Sequence, residues 1–179
     1  ETGVAAVTLV LPLTMAFVAI SMVFSVGGAN LVSVSLGSDD PDRAVSIFRQ
    51  SVCTLIIIGA VFSLVGAAFA GDIAAALGAT GRLRLPATEY MRYYMVFTIP
   101  VLLAMALATF IRHDGSPRLS MRSMLWGAMT NILLDYLFVF PLKMGLKGAA
   151  IATGLGQLVT VLACMRHFVE RRGVLTIGC

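Results

Sequence analysis

Long apolar stretches separated by short polar loops run through the whole chain. About 20 apolar residues are enough for a helix to cross a bilayer, and every stretch reaches or exceeds that length. The pattern therefore predicts an all-α fold, a polytopic transmembrane helix bundle with five spanning helices, at about residues 3–36, 42–77, 86–111, 119–140 and 147–168. The first two are longer than a bilayer requires, so we expect them to tilt or to project beyond it.

Turn-forming residues set the limits of these helices. The segment 37–42, Gly-Ser-Asp-Asp-Pro-Asp, separates the first helix from the second, and its acids suit the start of a helix. The segment 112–118 ends the third helix, and Pro141 ends the fourth. Pro86 stands in the first turn of the third helix, where its missing N–H costs nothing. Pro100 lies inside that helix and predicts a kink, because it removes a backbone hydrogen bond.

The composition is typical of a membrane protein. Of 179 residues, 59% are hydrophobic and 12% are charged, with a mean hydropathy of +0.94, whereas a soluble domain carries about a quarter charged residues. The net charge is only +4, and the sequence has no soluble basic patch with stacking aromatics, which excludes nucleic-acid binding. The spacing of Cys53, Cys164 and Cys179 fits neither a disulfide framework nor a metal site. We therefore expect these cysteines to be small apolar packing residues.

Basic residues predict the orientation in the inner (plasma) membrane. They fall on two sides, and the side with the larger set should be cytoplasmic. The larger set comprises Arg43, Arg49, Arg112, Arg118, Arg122, Arg166, Arg171 and Arg172, against Arg82, Arg84, Arg92, Lys143 and Lys147 on the other side. The loops around Asp39 and His113 should therefore face the cytoplasm.

One acidic residue, Asp135, is placed well inside an apolar helix. A carboxyl group at that depth costs about 2.5–3.5 kcal/mol on insertion scales, so such a residue usually faces a cavity and has a function. Asn131 lies one helical turn earlier on the same face, which puts an amide oxygen beside the carboxylate. The pair is a candidate cation or proton site in a transport protein.

The hairpin formed by the last two helices brings further oxygen atoms to this level. Asp135 precedes the connecting loop by about six residues and Thr153 follows it by about six, so both lie roughly 9 Å from the same end. Tyr90, near the outer start of the third helix, falls at a similar depth, and Asn131 lies one turn deeper. Carboxylate, amide and hydroxyl oxygens suit Na⁺, and Asp135 alone suits H⁺. We therefore expect Na⁺ or H⁺ as the coupling ion and no other cofactor.

The same residues also have a structural interpretation. Asp135 and Asn131 would then form a polar clamp between helices, and Thr153 would bond its own backbone four residues back. Small residues along the last helix, at positions 148–150, 152, 154 and 156, predict close approach of a neighbouring backbone in either case.

Several longer motifs resemble those of one transporter family. They are Phe-Ile-Arg-His-Asp-Gly-Ser-Pro-Arg-Leu-Ser-Met at 110–121, Asn-Ile-Leu-Leu-Asp-Tyr-Leu-Phe at 131–138, Gly-Leu-Lys-Gly-Ala-Ala-Ile-Ala-Thr at 145–153, and upstream Gly-Gly-Ala-Asn-Leu-Val-Ser at 27–33 with Leu-Gly-Ser-Asp-Asp at 36–40. Their consistent order over nearly the whole chain resembles the multidrug and toxic compound extrusion (MATE) family. Within the family, the chain resembles the prokaryotic branch of small-cation-coupled drug exporters.

The resemblance implies that residues 1–179 form a partial amino-terminal transporter lobe, helices two to six. In the family, two six-helix lobes face each other across a cleft, and Na⁺ or H⁺ drives alternating access. A cation site of some relatives maps by motif onto Asn131, Asp135 and Thr153, and a tyrosine near it maps onto Tyr90. The implied function is antiport, the export of cationic or amphipathic drug-like compounds in exchange for Na⁺ or H⁺.

The resemblance also implies partners for the chain. The chain begins at Glu1 without an initiator methionine, and we expect it to be a fragment of a longer parent protein. The family's first helix, which carries a further acid in some relatives, and the carboxy-terminal lobe would then be partners, along with the lipid bilayer.

Three other functions compete with export, of which the flippase and the scaffold stay open on the sequence, whereas we expect that the chain is not an enzyme. A lipid-linked sugar flippase of the same superfamily needs several basic residues in its cavity, and the mid-helix positions have none. An intramembrane enzyme would show Gly-x-Ser-x-Gly, His-Glu-x-x-His or a second intramembrane carboxylate, and the sequence has none of these. A non-transporting membrane scaffold would use Asp135 as a clamp.

Overall fold

In the computed structural model, the described residues are 2–170 and 173–175, apart from the side chains of residues 2–7 and Arg82. Over these residues the chain is helical with short connections, and none of them lies in a strand. The predicted all-α fold is confirmed. Glu1, Arg171, Arg172 and Cys179, to which the sequence assigned roles, lie outside the described residues.

The described chain folds into long helices arranged as a bundle. The helices are α1 (Thr2–Gly37), α2 (Pro41–Ala68), α3 (Ala70–Ala76), α4 (Arg84–Val96), α5 (Thr98–His113), α6 (Pro117–Val139) and α7 (Leu146–Val169), with a 3-10 turn at Gly81–Leu83 before α4. Asp40 caps α2, because its side chain accepts a hydrogen bond from the backbone N–H of Arg43.

The second predicted helix, 42–77, is not continuous. It is interrupted at Phe69, which leaves the helical conformation (φ −109°, ψ 21°) between α2 and α3. Gly66 and Gly71 lie on either side of this break and weaken a helix there. Asp72 falls in the first turn of α3, where a negative charge stabilises a new helix start.

The third predicted helix, 86–111, begins earlier, at Arg84, and is also interrupted. It consists of α4 and α5, which meet at Phe97 with a bend of 52°. The cause is Pro100: it has no N–H for the Val96 carbonyl, and its ring crowds that carbonyl, so α4 ends at Val96. The predicted kink is therefore present, one turn before the proline.

Three helices of the described chain are long and apolar enough to cross a membrane, Thr8–Gly37, Pro41–Ala68 and Leu146–Val169. The bent pair of α4 and α5 is a fourth if it is counted as one span. The helix α6 has 23 residues, but its arginines and the polar pair Asn131 and Asp135 leave it less apolar than the others. By length and composition there are up to four spans instead of five, and the span at α6 stays a prediction.

The helix α5 occupies the centre of the bundle. It contacts α1, α2, α6 and α7 and is buried at almost every position between Leu102 and Ile111. Neighbouring helices donate hydrogen bonds to its backbone, from Ser21 Oγ to the Leu102 carbonyl (2.9 Å) and from Ser120 Oγ to the Ala108 carbonyl (2.6 Å). Inside lipid, where the hydrophobic effect does not drive helices together, such packing and hydrogen bonds hold the bundle.

The helices α6 and α7 form a hairpin in which the two backbones touch. A Cβ added at Gly156 would lie 2.8 Å from Asn131 Cβ and 2.8 Å from the Gly127 carbonyl oxygen. A Cβ added at Gly148 would lie 2.7 Å from Phe138 Cβ. These distances are too short for a side chain, so the glycines permit the contact and fix the register of α6 against α7.

We expect Gly127→Ala to destabilise the protein by about 1–3 kcal/mol, the usual cost of adding a methyl group to a filled contact. The new Cβ would lie 2.7 Å from the Gly156 carbonyl oxygen and would overlap the Thr160 hydroxyl. Gly37→Ala is the control, because a Cβ there meets nothing within 4 Å. The measurement is the free energy of unfolding in mixed detergent micelles, and equal values for the two variants would contradict the close backbone contact.

Candidate functional site

The glycine contacts bring two of the predicted site residues together. Asn131 Nδ2 donates a hydrogen bond to Thr153 Oγ1 at 3.4 Å, and Thr153 Oγ1 donates to the Ala149 carbonyl at 2.9 Å. The threonine therefore makes the backbone bond of the structural interpretation and also accepts a bond from across the hairpin. Because the amide nitrogen faces Thr153, the amide oxygen, which is the atom that a cation would bind, is not used in this contact.

One carboxylate oxygen of Asp135 has no such hydrogen bond. Its side chain is half-buried, and Oδ1 is buried with no hydrogen-bond partner among the described residues. In the register set by the glycines, Thr153 lies between the levels of Asn131 and Asp135. Keeping a carboxyl group ionised costs free energy when one of its oxygens is buried without a hydrogen-bond donor. The polar contact across this hairpin is thus made by Asn131 and Thr153, and Asp135 Oδ1 takes no part in it.

Tyr90 belongs to the surroundings of Asp135. It is buried on α4 and close enough to the carboxyl group for electrostatic interaction. Its ring stacks on Tyr94, with centroids 6.0 Å apart and planes 11° apart. The helix α4 in turn packs on α7. The structure therefore brings all four predicted residues to one region between α4, α6 and α7.

A cavity of about 590 Å³ opens beside these residues. Its volume lies within the range of small-molecule sites, about 300–1,000 Å³. Its wall is mostly apolar with a few polar side chains, as is usual for such sites. The polar residues of the wall are Arg112, Asn131, Thr153, Gln157 and Thr160, and the others are Val18, Tyr94, Val101, Ala104, Met105, Ala108, Met124, Gly127, Ala128 and Gly156. Asn131 and Thr153 thus line the cavity, whereas Asp135 stands one turn beyond its wall.

Gln157 and Thr160 line the cavity but were not among the predicted site residues. With Thr153 they form a polar stripe on α7 at intervals of four and three residues, which is the helical period. That period is a signal that the sequence contains. Thr160 also donates to the Gly156 carbonyl at 3.1 Å, so its hydroxyl is satisfied locally as well as exposed to the cavity.

Neither of the two described cysteines, Cys53 and Cys164, lines the cavity. Cys164 is buried, as a packing residue should be, but Cys53 is exposed on α2. The expectation that Cys53 is a packing residue was wrong, because its side chain is exposed.

Comparison with known proteins identifies the fold. A sequence profile of the MatE family matches residues 1–137. The chain belongs to the MatE family. The predicted family is confirmed, and the chain is a multi-pass protein of the plasma membrane from a family of transporters, not an enzyme.

Two curated relatives show how much of a family member the chain represents. Multidrug export protein MepA of Staphylococcus aureus (strain bovine RF122 / ET3-1) is 28% identical over 175 residues, which is 98% of this chain and 39% of MepA. MepA of Staphylococcus haemolyticus (strain JCSC1435) is 27% identical over the same shares. The chain therefore spans about two-fifths of the length of the relatives that it matches.

Solved structures give the same result for the fold. A MATE protein in the bent conformation matches with a TM-score of 0.92 and 26% identity, over 99% of this chain and 40% of that one. An inward-facing multidrug resistance MATE family transporter of the MOP superfamily matches with a TM-score of 0.91 and 26% identity, over the same shares. The helices α1–α7 thus have the arrangement of part of a MATE transporter.

We expect Asn131→Ala and Thr153→Val to destabilise the hairpin by similar amounts and not additively, because each removes the same interhelical bond. Such bonds contribute about 0.6–1.7 kcal/mol in membrane proteins. The measurement is a double-mutant cycle on the free energy of unfolding. Thr130→Val is the control, since the Thr130 hydroxyl bonds only the Trp126 carbonyl of its own helix. Fully additive losses would show that the bond contributes nothing.

Proposed function

We propose that the chain is part of the amino-terminal lobe, helices two to six, of a secondary active exporter. The whole protein would extrude cationic or amphipathic compounds in exchange for Na⁺ or H⁺. The buried Oδ1 of Asp135, which has no partner among the described residues, carries this proposal. A carboxylate oxygen in that state is a place for a proton or a cation to bind. The names of the relatives support the export function, because MepA is a multidrug export protein.

The coupling follows from the cost of the uncompensated charge. When Asp135 is ionised and empty, the lobe holds a half-buried charge, and its oxygen Oδ1 has no donor among the described residues. Binding of H⁺ or Na⁺ removes that cost, so the occupied and empty states favour different packings of the helices around it. The Asn131 amide oxygen and the Thr153 hydroxyl lie on the adjoining turns and are hard oxygen ligands, which Na⁺ prefers. One charge moved across 100 mV supplies about 2.3 kcal/mol to bias these states.

Two competing functions find less support. A flippase for phosphate-bearing lipids would place several basic side chains in the cavity, and in the described structure Arg112 is the one basic residue in its wall. Arg112 sits in the last turn of α5 and donates to Thr109 Oγ1 at 2.9 Å. A scaffold would use Asp135 as a clamp, but the hairpin has its clamp in Asn131 and Thr153.

We expect Asp135→Asn in the whole protein to abolish ion-coupled dye efflux, because an amide neither titrates nor carries the charge that attracts a cation. The variant keeps the size of the side chain, and the glycine contacts that hold the hairpin are untouched. The measurement is dye efflux from cells or from proteoliposomes with an imposed ion gradient.

The control is Glu89→Gln, which also neutralises a carboxylate of the bundle. Glu89 pairs with Lys147 at 2.9 Å, and both side chains are more than two-fifths exposed, so the pair contributes little. Efflux should persist in this variant. Normal efflux by Asp135→Asn at wild-type expression would contradict the proposal that Asp135 binds the coupling ion.

The identity of the ion has its own test in the purified whole protein. If Na⁺ binds at Asp135, replacing choline with Na⁺ at constant ionic strength should stabilise the fold, by about 2.7 kcal/mol at a hundred times the dissociation constant. Asp135→Asn should remove that stabilisation. If H⁺ is the ion, stability should not distinguish Na⁺ from choline, and a pH gradient alone should drive efflux. Efflux that responds to neither gradient would contradict antiport.

A further inference from the structure

A second acid, Asp114, is more deeply buried than Asp135 and lies outside the candidate site. It follows α5 in the short loop that leads to α6, and its side chain is 1% exposed. His167, in the last turn of α7, is fully buried beside it, with Nε2 3.0 Å from Asp114 Oδ2. The two residues are 53 positions apart in the chain, so the contact joins the end of α5 to the end of α7.

The other oxygen of Asp114 binds the backbone of the segment that follows α7. Oδ1 accepts hydrogen bonds from the N–H groups of Val174, at 2.9 Å, and Leu175, at 3.3 Å. A Cβ at Gly173 would overlap the carboxylate, so the glycine is what lets the segment approach it. We name residues 173–175 the post-helix segment.

The post-helix segment is packed against the bundle and not only tethered to it. Leu175 is completely buried in the hydrophobic core, whereas its neighbour Val174 is 45% exposed. Phe168, next to His167, stacks on Phe48 of α2, with centroids 4.6 Å apart. The end of α7 and the segment beyond it are therefore built into the same end of the lobe as α2 and α5.

No local role accounts for Asp114. It is the C-cap residue of α5, where the helix dipole disfavours a negative charge. It does not cap α6 either, because the N-cap position of α6 is Ser116. Both oxygens are instead used by groups more than fifty residues away. The position disfavours a negative charge locally, yet the carboxylate is buried and accepts hydrogen bonds from three donors. The distant contacts therefore explain why an acid stands here.

We propose that Asp114 is a positioning residue that holds the post-helix segment on the lobe, with His167 orienting its carboxylate. The inference rests on the proposed function in one respect: in a two-lobe exporter the chain beyond α7 leads to the second lobe. Asp114 would then fix the point from which that connection starts. Its role is separate from the ion site, because none of its partners touches Asp135 or lines the cavity.

The test measures how accessible the post-helix segment is to a thiol reagent. In the whole protein with every native cysteine replaced, including Cys53, Cys164 and Cys179 of this chain, Leu175→Cys should react slowly with a membrane-permeant maleimide. Adding Asp114→Ala should raise the labelling rate at least tenfold, because the segment loses both backbone bonds. Val174→Cys is the matched control and should react quickly with and without Asp114. An unchanged rate for Leu175→Cys after loss of Asp114 would overturn the proposal.

Substitutions of His167 test the orienting bond without removing the acid. His167→Gln keeps an N–H donor close to the position of Nε2, so Leu175→Cys should stay protected. His167→Phe keeps the ring but cannot donate, and it should expose Leu175→Cys as Asp114→Ala does. Equal protection in both variants would refute the role of His167, and this pair remains informative if Asp114→Ala fails to fold.

The labelling result is independent of the transport result. Asp135→Asn should leave Leu175→Cys protected, because the two acids share no partner. Failure of Asp135→Asn to affect efflux would remove the ion site and leave Asp114 in place. Faster labelling of Leu175→Cys in Asp135→Asn would contradict the separation of the two roles.

Discussion

The close approach of α6 and α7 is the constraint on which the candidate site depends. Within a bilayer, the hydrophobic effect does not drive two apolar helices together, because lipid is as apolar as the helices. The contact must therefore be stabilised by close van der Waals packing. Gly127, Gly148 and Gly156 provide it by leaving no side chain between the two backbones. The contact also sets the register, and the register decides that Asn131 faces Thr153 while the carboxyl group of Asp135 extends beyond that pair. The chemistry of the region is therefore a consequence of backbone packing.

The polar residues of the site could be predicted from the sequence because they stand out in apolar helices. Asp135 has a high cost of insertion, Asn131 follows from the helical period, and Thr153 from counting residues on either side of the hairpin loop. The counting could not tell which partner each one takes. It matched Thr153 in depth with Asp135, whereas the hydrogen bond is made with Asn131, because the glycines place Thr153 between the two levels.

The helices and their approximate ends could be predicted from the sequence, but not every interruption within them. Pro100 announces the bend between α4 and α5, since a residue without an N–H must disturb the turn before it. The break at Phe69 has only weak local signals, two flanking glycines and an acid, which many continuous helices also carry. The pair of Asp114 and His167 has no local signal at all. Both residues lie at helix ends, where charged side chains are ordinary, and only the folded bundle shows that they are buried together.

Asp114 and Asp135 differ in how their carboxyl groups are bonded. Asp114 has both oxygens bonded, by His167 and by two backbone N–H groups, so each oxygen has a donor within the lobe. Asp135 has an oxygen for which the described residues offer no donor. A compensated carboxylate holds one conformation, because any movement would expose an unpaired charge. An uncompensated one gains from whatever binds it, and its surroundings respond when that ligand leaves. Full pairing is thus suited to holding a chain in place, and an open position is suited to coupling.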